Sequence, residues 1–187
     1  ELESERKSDY HKAYNNWGID LGNLAKTKKG TQKEELYQKA FEKFEKAIAI
    51  KPDYYKAFNN WGTYLGNLAQ TKQKTQKEEL YQKAFEKFEK AIAIKPDLHQ
   101  AFNNWGTYLG DLAQTKQEIQ KEELYQKAFE KFKKAIAIKP DYYKAFNNWG
   151  IYLGDLAQTK KGTQKEELYQ KAFEKFEKAI KYGSDSY

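Results

Sequence analysis

Asparagine side chains recur in this chain at a spacing that suits recognition. Asn15-Asn16 returns as Asn59-Asn60, Asn103-Asn104 and Asn147-Asn148, each pair 44 residues after the last and each followed by Trp-Gly. A side-chain amide donates and accepts at once, so a row of amides can pair with the N–H and C=O groups of an extended peptide. The ingredients of bond-making chemistry are sparse. Cysteine is absent, and neither His11 nor His99 has a second histidine at i+3 or i+4, which argues against a metal site. Glutamates are plentiful but lie on a solvated face interleaved with lysine, where paired-carboxylate chemistry is not expected. The sequence therefore predicts no enzyme, no cofactor and no metal.

The elements that position these amides follow from the apolar pattern. In the second copy Phe58, Trp61, Leu65 and Leu68 recur at 3-4-3 spacing and fall on one stripe of a helix. Pro52 stops the preceding helix and Asp53 suits an N-cap, so helix A is expected over about Tyr54 to Thr71. Thr75-Gln76-Lys77-Glu78 reads as a capping box for a second helix. Leu80, Ala84, Phe85, Phe88, Ala91 and Ile92 form its buried face, and Lys95-Pro96 end it. Glu79 with Lys83 and Glu86 with Lys90 are i,i+4 pairs in the favourable order, about 0.2–0.5 kcal/mol each. Each repeat is thus an antiparallel helix hairpin. Trp17, Trp61, Trp105 and Trp149 sit in mid-stripe and are expected in the core. Gly62 and Gly66 inside helix A cost about 1 kcal/mol each relative to alanine, which the close approach of a neighbouring helix would offset.

A fixed period of this size marks a repeat array, in which each unit buries its apolar face by stacking on the next. Aromatic residues reach 16% beside 33% charged residues, so the chain folds and draws its core from Phe, Trp and Tyr. No apolar run approaches the roughly 18 residues of a membrane helix, and no signal peptide is visible. No membrane association and a cytoplasmic location are the expectations. The net charge of +7 comes from lysine. Its alternation with glutamate on helix B leaves no unbroken positive face, which argues against nucleic acid.

Phe58-x-x-Trp61-Gly62-x-x-Leu65, then Ala84-x-x-x-Phe88, then Ala91 and Pro96, resembles the tetratricopeptide (TPR) pattern, and the match recurs in all four copies. The family's repeat has 34 residues; the extra ten fall between Gly62 and Ala84, at the hairpin tip. The resemblance implies an all-α TPR-like α-solenoid, a right-handed superhelix of antiparallel helix hairpins with helix A lining the concave groove. The division is an N-terminal cap over 1–9, repeats over 10–52, 53–96, 97–140 and 141–182, and a tail over 183–187.

With that geometry Asn16, Asn60, Asn104 and Asn148 form a ladder along the groove, joined by Lys56, Asn59, Thr63, Asn103, Asp111, Asn147 and Asp155. They would bind a protein or peptide partner; the alternative is that the asparagines only solvate the groove and tie helices together. Lys12, Lys26 and Lys56 against Asp111 and Asp155 grade the groove in charge. The lysine and arginine clamp of chaperone-tail adaptors is not present as a set. Phe173, Phe176 and Ile180 are expected to form an apolar end face that drives self-association into a homo-oligomer. In the third hairpin Gln117-Glu118-Ile119 replaces the Gly-Thr of Gly30-Thr31 and Gly162-Thr163, which admits a continuous helix and a domain swap. Copies two and four differ at four positions between 57–92 and 145–180. Such near-identity fits recent duplication, or an engineered repeat without a natural ligand.

Overall fold

The apolar stripes of the sequence all become helices. A computed structural model describes residues 2–184, with side chains from Asp9 onward. The helices are α1 (Leu2–Lys26), α2 (Gly30–Ile50), α3 (Tyr55–Gln70), α4 (Lys74–Ile94), α5 (His99–Gln114), α6 (Glu118–Ile138), α7 (Tyr143–Gln158) and α8 (Gly162–Ser184). No strand occurs among the described residues. Odd-numbered helices are the A helices and even-numbered ones the B helices, each A packing on the B that follows. The side chains of the polar opening over 1–8 and the last three residues of the tail lie outside the described residues.

The chain divides into two compact units, Glu1–Pro96 and Asp97–Tyr187, each of two hairpins. Within the first unit α3 packs on α2 and α1; within the second α7 packs on α6 and α5. The core of each hairpin is aromatic. Phe44, Phe88 and Phe132 are fully buried, as are the alanines one turn away on the same helices, Ala40, Ala84 and Ala128. The glycines of helix A explain why phenylalanine fits there. A Cβ at Gly18 would stand 2.6 Å from the Phe44 ring, and one at Gly106 would stand 2.8 Å from Phe132. The close neighbour that offsets these glycines is thus an aromatic ring.

Four expectations are corrected. The N-cap position of α3 is Tyr54 and that of α4 is Gln73, neither with a side-chain cap hydrogen bond. Asp53 stands in the preceding turn, and Thr75 is already helical, so the capping box does not form. The turn itself sets where α4 starts: its first residue, Lys74, has φ +37°, as Gly30 and Gly162 have φ +54° and +55°. The third hairpin turns as the others do, with α5 ending at Gln114 and α6 starting at Glu118, whose φ is +26°. The continuous helix is therefore not formed. The tryptophans are not central: Trp17 is 53% exposed, and Trp61, Trp105 and Trp149 are half-buried. They sit at the rim of each hairpin, under a lysine from its B helix. Lys43, Lys87, Lys131 and Lys175 place their Nζ 4.0, 3.7, 3.4 and 3.9 Å from the successive indole rings. Burial against those rings holds the pKa of Lys87 and Lys175 below the ordinary lysine range.

Candidate functional site: the A-helix face

The asparagines of helix A divide into two roles. Asn15 and Asn103 lie in the seam between A helices, and Asn60 and Asn148 reach back to them. In the first unit Asn60 Nδ2 donates to Asn15 Oδ1 at 3.0 Å, and Asn15 Nδ2 leans on Asn16 Oδ1 at 3.4 Å. The second unit repeats this: Asn148 Nδ2 donates to Asn103 Oδ1 and to Thr107 Oγ1, both at 3.2 Å. Asn103 Nδ2 contacts Asn104 Oδ1 at 3.4 Å. Asn15 and Asn103 are buried accordingly. Asn60 and Asn148 therefore tie neighbouring A helices together. Asn59 keeps a buried Oδ1 without a hydrogen-bond partner.

Lys56, Asn16 and Asn147 are exposed, and Asn60, Thr63, Asn104, Asp111, Asn148 and Asp155 are half-buried. The Thr63 hydroxyl donates to the Asn59 carbonyl of its own helix at 2.9 Å. Asp111 Oδ1 accepts from the Tyr152 hydroxyl at 2.6 Å, and Asp155 Oδ2 accepts from Gln114 Nε2 at 2.7 Å. Of the lysines assigned to the charge gradient, Lys12 pairs with Asp9 at 2.8 Å and Lys26 stands over the Tyr64 ring. The acidic members thus serve helix pairing, and the basic ones are partly engaged at home.

A cleft opens on the second unit, with a volume of about 630 Å³. Asn103, Asn147, Asn148 and Lys144 line its polar side, all from α5 and α7. Phe176, Ala179 and Ile180 of α8, with Tyr143, line its apolar side. Two residue sets that the sequence assigned to different surfaces, the amide ladder and the apolar end, here border one cavity. Phe173 and Ile180 are 50% and 72% exposed, and Phe176 is half-buried. Sequence reading missed Tyr143 and Ala179. The first sits just inside the start of α7, and the second is one of many small residues on helix B, so neither carries a local signal. Among the described residues no group of His, Cys, Asp or Glu is placed to hold a metal ion. No helix there is long and apolar enough to cross a membrane.

With this geometry established, likeness to known proteins is informative. The family described as plant specific mitochondrial import receptor subunit TOM20 matches residues 56–144. Crystallised MamA superposes with a TM-score of 0.58 at 19% identity, covering 97% of this chain and 87% of that one. MamA from Desulfovibrio magneticus RS-1 gives 0.60 at 19% identity, over 94% of this chain and 77% of that one. A further MamA structure, MSR-1 C2, gives 0.57 at 15% identity over the whole of both chains. No curated protein matches. At such identities the likeness shows the fold, which is all-α and TPR-like.

Proposed function

We propose that this chain is a protein-interaction scaffold that holds a peptide segment of a partner against the A-helix face, with the α7–α8 cleft as its principal seat. The observation that carries this reading is the make-up of that cleft. Exposed Asn147 can donate to and accept from a peptide backbone, Lys144 adds a cation, and Phe176 with Ile180 offers an apolar floor for one large side chain. A cleft of about 630 Å³ is of the size that takes several residues of an extended segment. The matching TOM20 family is described as a receptor subunit, and a receptor role for this chain is in keeping with the proposal.

The test is selection of binders from a displayed peptide library, followed by titration of one binder against variants. Asn147→Ala combined with Lys144→Ala should weaken binding at least about tenfold, since two polar contacts are worth about 1–3 kcal/mol. Both side chains are exposed, so the melting temperature should stay unchanged. Equal affinity in the double variant would refute the groove assignment. Asn148 is the wrong probe, because its amide also joins α7 to α5.

A second reading is association between copies through α8. The exposure of Phe173 and Ile180 favours it. Light scattering over a hundredfold concentration range tests it: a mass that rises with concentration and falls back in Ile180→Lys supports it, and a steady 22.0 kDa refutes it.

A further inference from the structure

One device joins the A helices inside each unit. In the first, Tyr64 of α3 lays its ring so close to Gly22 of α1 that a Cβ there would stand 2.5 Å from Cε1. That ring stacks on Phe44 with centroids 5.9 Å apart, and its hydroxyl donates to Asn23 Oδ1 at 2.9 Å and to the Ile19 carbonyl at 3.2 Å. In the second unit Tyr152 meets Gly110 at the same 2.5 Å and stacks on Phe132 at 6.1 Å. Its hydroxyl donates to Asp111 Oδ1 at 2.6 Å and to the Thr107 carbonyl at 3.0 Å. A glycine seat, a phenylalanine wall and two oxygen acceptors together make a socket for a phenol.

The same parts recur once more, on α7 and α8. Gly154, Phe176, Asp155 and Ile151 stand 44 residues beyond Gly110, Phe132, Asp111 and Thr107. The Phe176 ring lies 2.7 Å from where a Cβ of Gly150 would be, as Phe132 lies 2.8 Å from that of Gly106. The wall is therefore in its usual place. The seat, however, is open: among the described residues nothing comes within 4 Å of a Cβ placed on Gly154. Phe176 and Tyr169 are half-buried there, whereas Phe132 and Tyr125 are buried.

We infer that α7 and α8 present a preformed socket for a tyrosine side chain carried on a helix of a partner protein. The inference rests on the reading of α7–α8 as the partner-bearing face and names what the partner must display. Both filled sockets take tyrosine from a helix; Asp155 Oδ2 accepts from Gln114 Nε2 at 2.7 Å, and its other carboxylate oxygen can accept from a hydroxyl, which phenylalanine lacks. A second copy of this chain is a poor occupant in head-to-tail register. Its α1 carries Asp20 at the position of Tyr64, which would bring one carboxylate up to another. Phe176 is the wall common to this socket and the cleft above.

The experiment is an NMR titration of the isotope-labelled chain with p-cresol and with toluene, in wild type and in Gly154→Ala. Wild type should bind p-cresol about tenfold more tightly than toluene, with the largest shifts at the amides of Gly154, Asp155 and Phe176. Gly154→Ala should remain folded, since open space receives the methyl group, and should lose p-cresol binding. Equal affinity for the two probes, shifts confined to other helices, or undiminished binding by Gly154→Ala would each overturn the inference. Library peptides that still bind the groove in that event would leave the proposed function standing, and loss of both would remove it too.

Discussion

A single methyl group should behave in opposite ways at two equivalent glycines. At Gly110 it would collide with the Tyr152 ring, and at Gly22 with the Tyr64 ring, each at 2.5 Å. Gly110→Ala or Gly22→Ala should therefore destabilise its unit by about 1–3 kcal/mol, the usual cost of overpacking. At Gly154 the space is open, so alanine should gain up to about 1 kcal/mol from helix propensity. Urea denaturation of the three variants side by side checks the contrast. The sequence announced these glycines as sites of close approach but not the approaching group. Tyr64 and Tyr152 stand one residue before Leu65 and Leu153, on the flank of the 3-4-3 stripe, so a stripe reading passes over them. Their hydroxyls also settle why Asn23 and Asp111 are interchangeable, since each need only accept.

Helix boundaries were legible at the level of elements wherever proline or a 3-4 stripe marked them, and obscure at the hairpin tips. Gly30 and Gly162 are each the first residue of the helix that follows the tip. Their left-handed backbone is what the tip requires, and Lys74 and Glu118 adopt it without glycine's freedom. Replacing Lys74 or Glu118 by glycine should thus raise stability by about 1 kcal/mol, because a side chain in that region costs about 1–2 kcal/mol. Thermal and urea midpoints provide the check. The start of α5 carries a pH response. His99 sits edge-on to Tyr142, with ring centroids 4.6 Å apart. Burial, reinforced by Lys139 and opposed by Asp141 and Asp97, holds its pKa below the ordinary 6.5. The folded state then refuses a proton that the unfolded chain accepts. Its contribution is fully present above about pH 6.5 and is lost as pH falls through the lowered folded value. The acid limb of the stability profile should be less steep in His99→Gln than in wild type, and equal slopes would refute the assignment.

At the scale of the whole molecule, the repeat and the fold class were plain from sequence, because a 44-residue period leaves few other ways to bury so many aromatic rings. The sequence did not reveal that the amide ladder and the apolar end border one cleft. Those residues are 28 or more positions apart, from Lys144 or Asn148 to Phe176 and Ile180, and only folding brings them together. The difference between Asp20 and Tyr64 bears on assembly. Asp20→Tyr would give α1 the ring that its equivalents use to enter a socket, and α7–α8 would receive it. Average mass by light scattering should then rise with concentration more steeply than in wild type. An unchanged mass would mean that the socket does not accept a ring presented from α1.

The pairing of key and seat also has a consequence for how such a chain can change its length over generations. The tyrosine that enters and the glycine that receives lie two residues apart on one A helix, as Tyr152 and Gly154 do. Copies two, three and four therefore each carry both the tyrosine and the glycine, whereas the first has Asp20 in place of the tyrosine. Recombination between misaligned copies that spares the first would add or delete a repeat while keeping a tyrosine two residues before a glycine in each new copy. Copy number can drift in the genome without any compensating substitution, and near-identical neighbours make the misalignment easier each time it occurs.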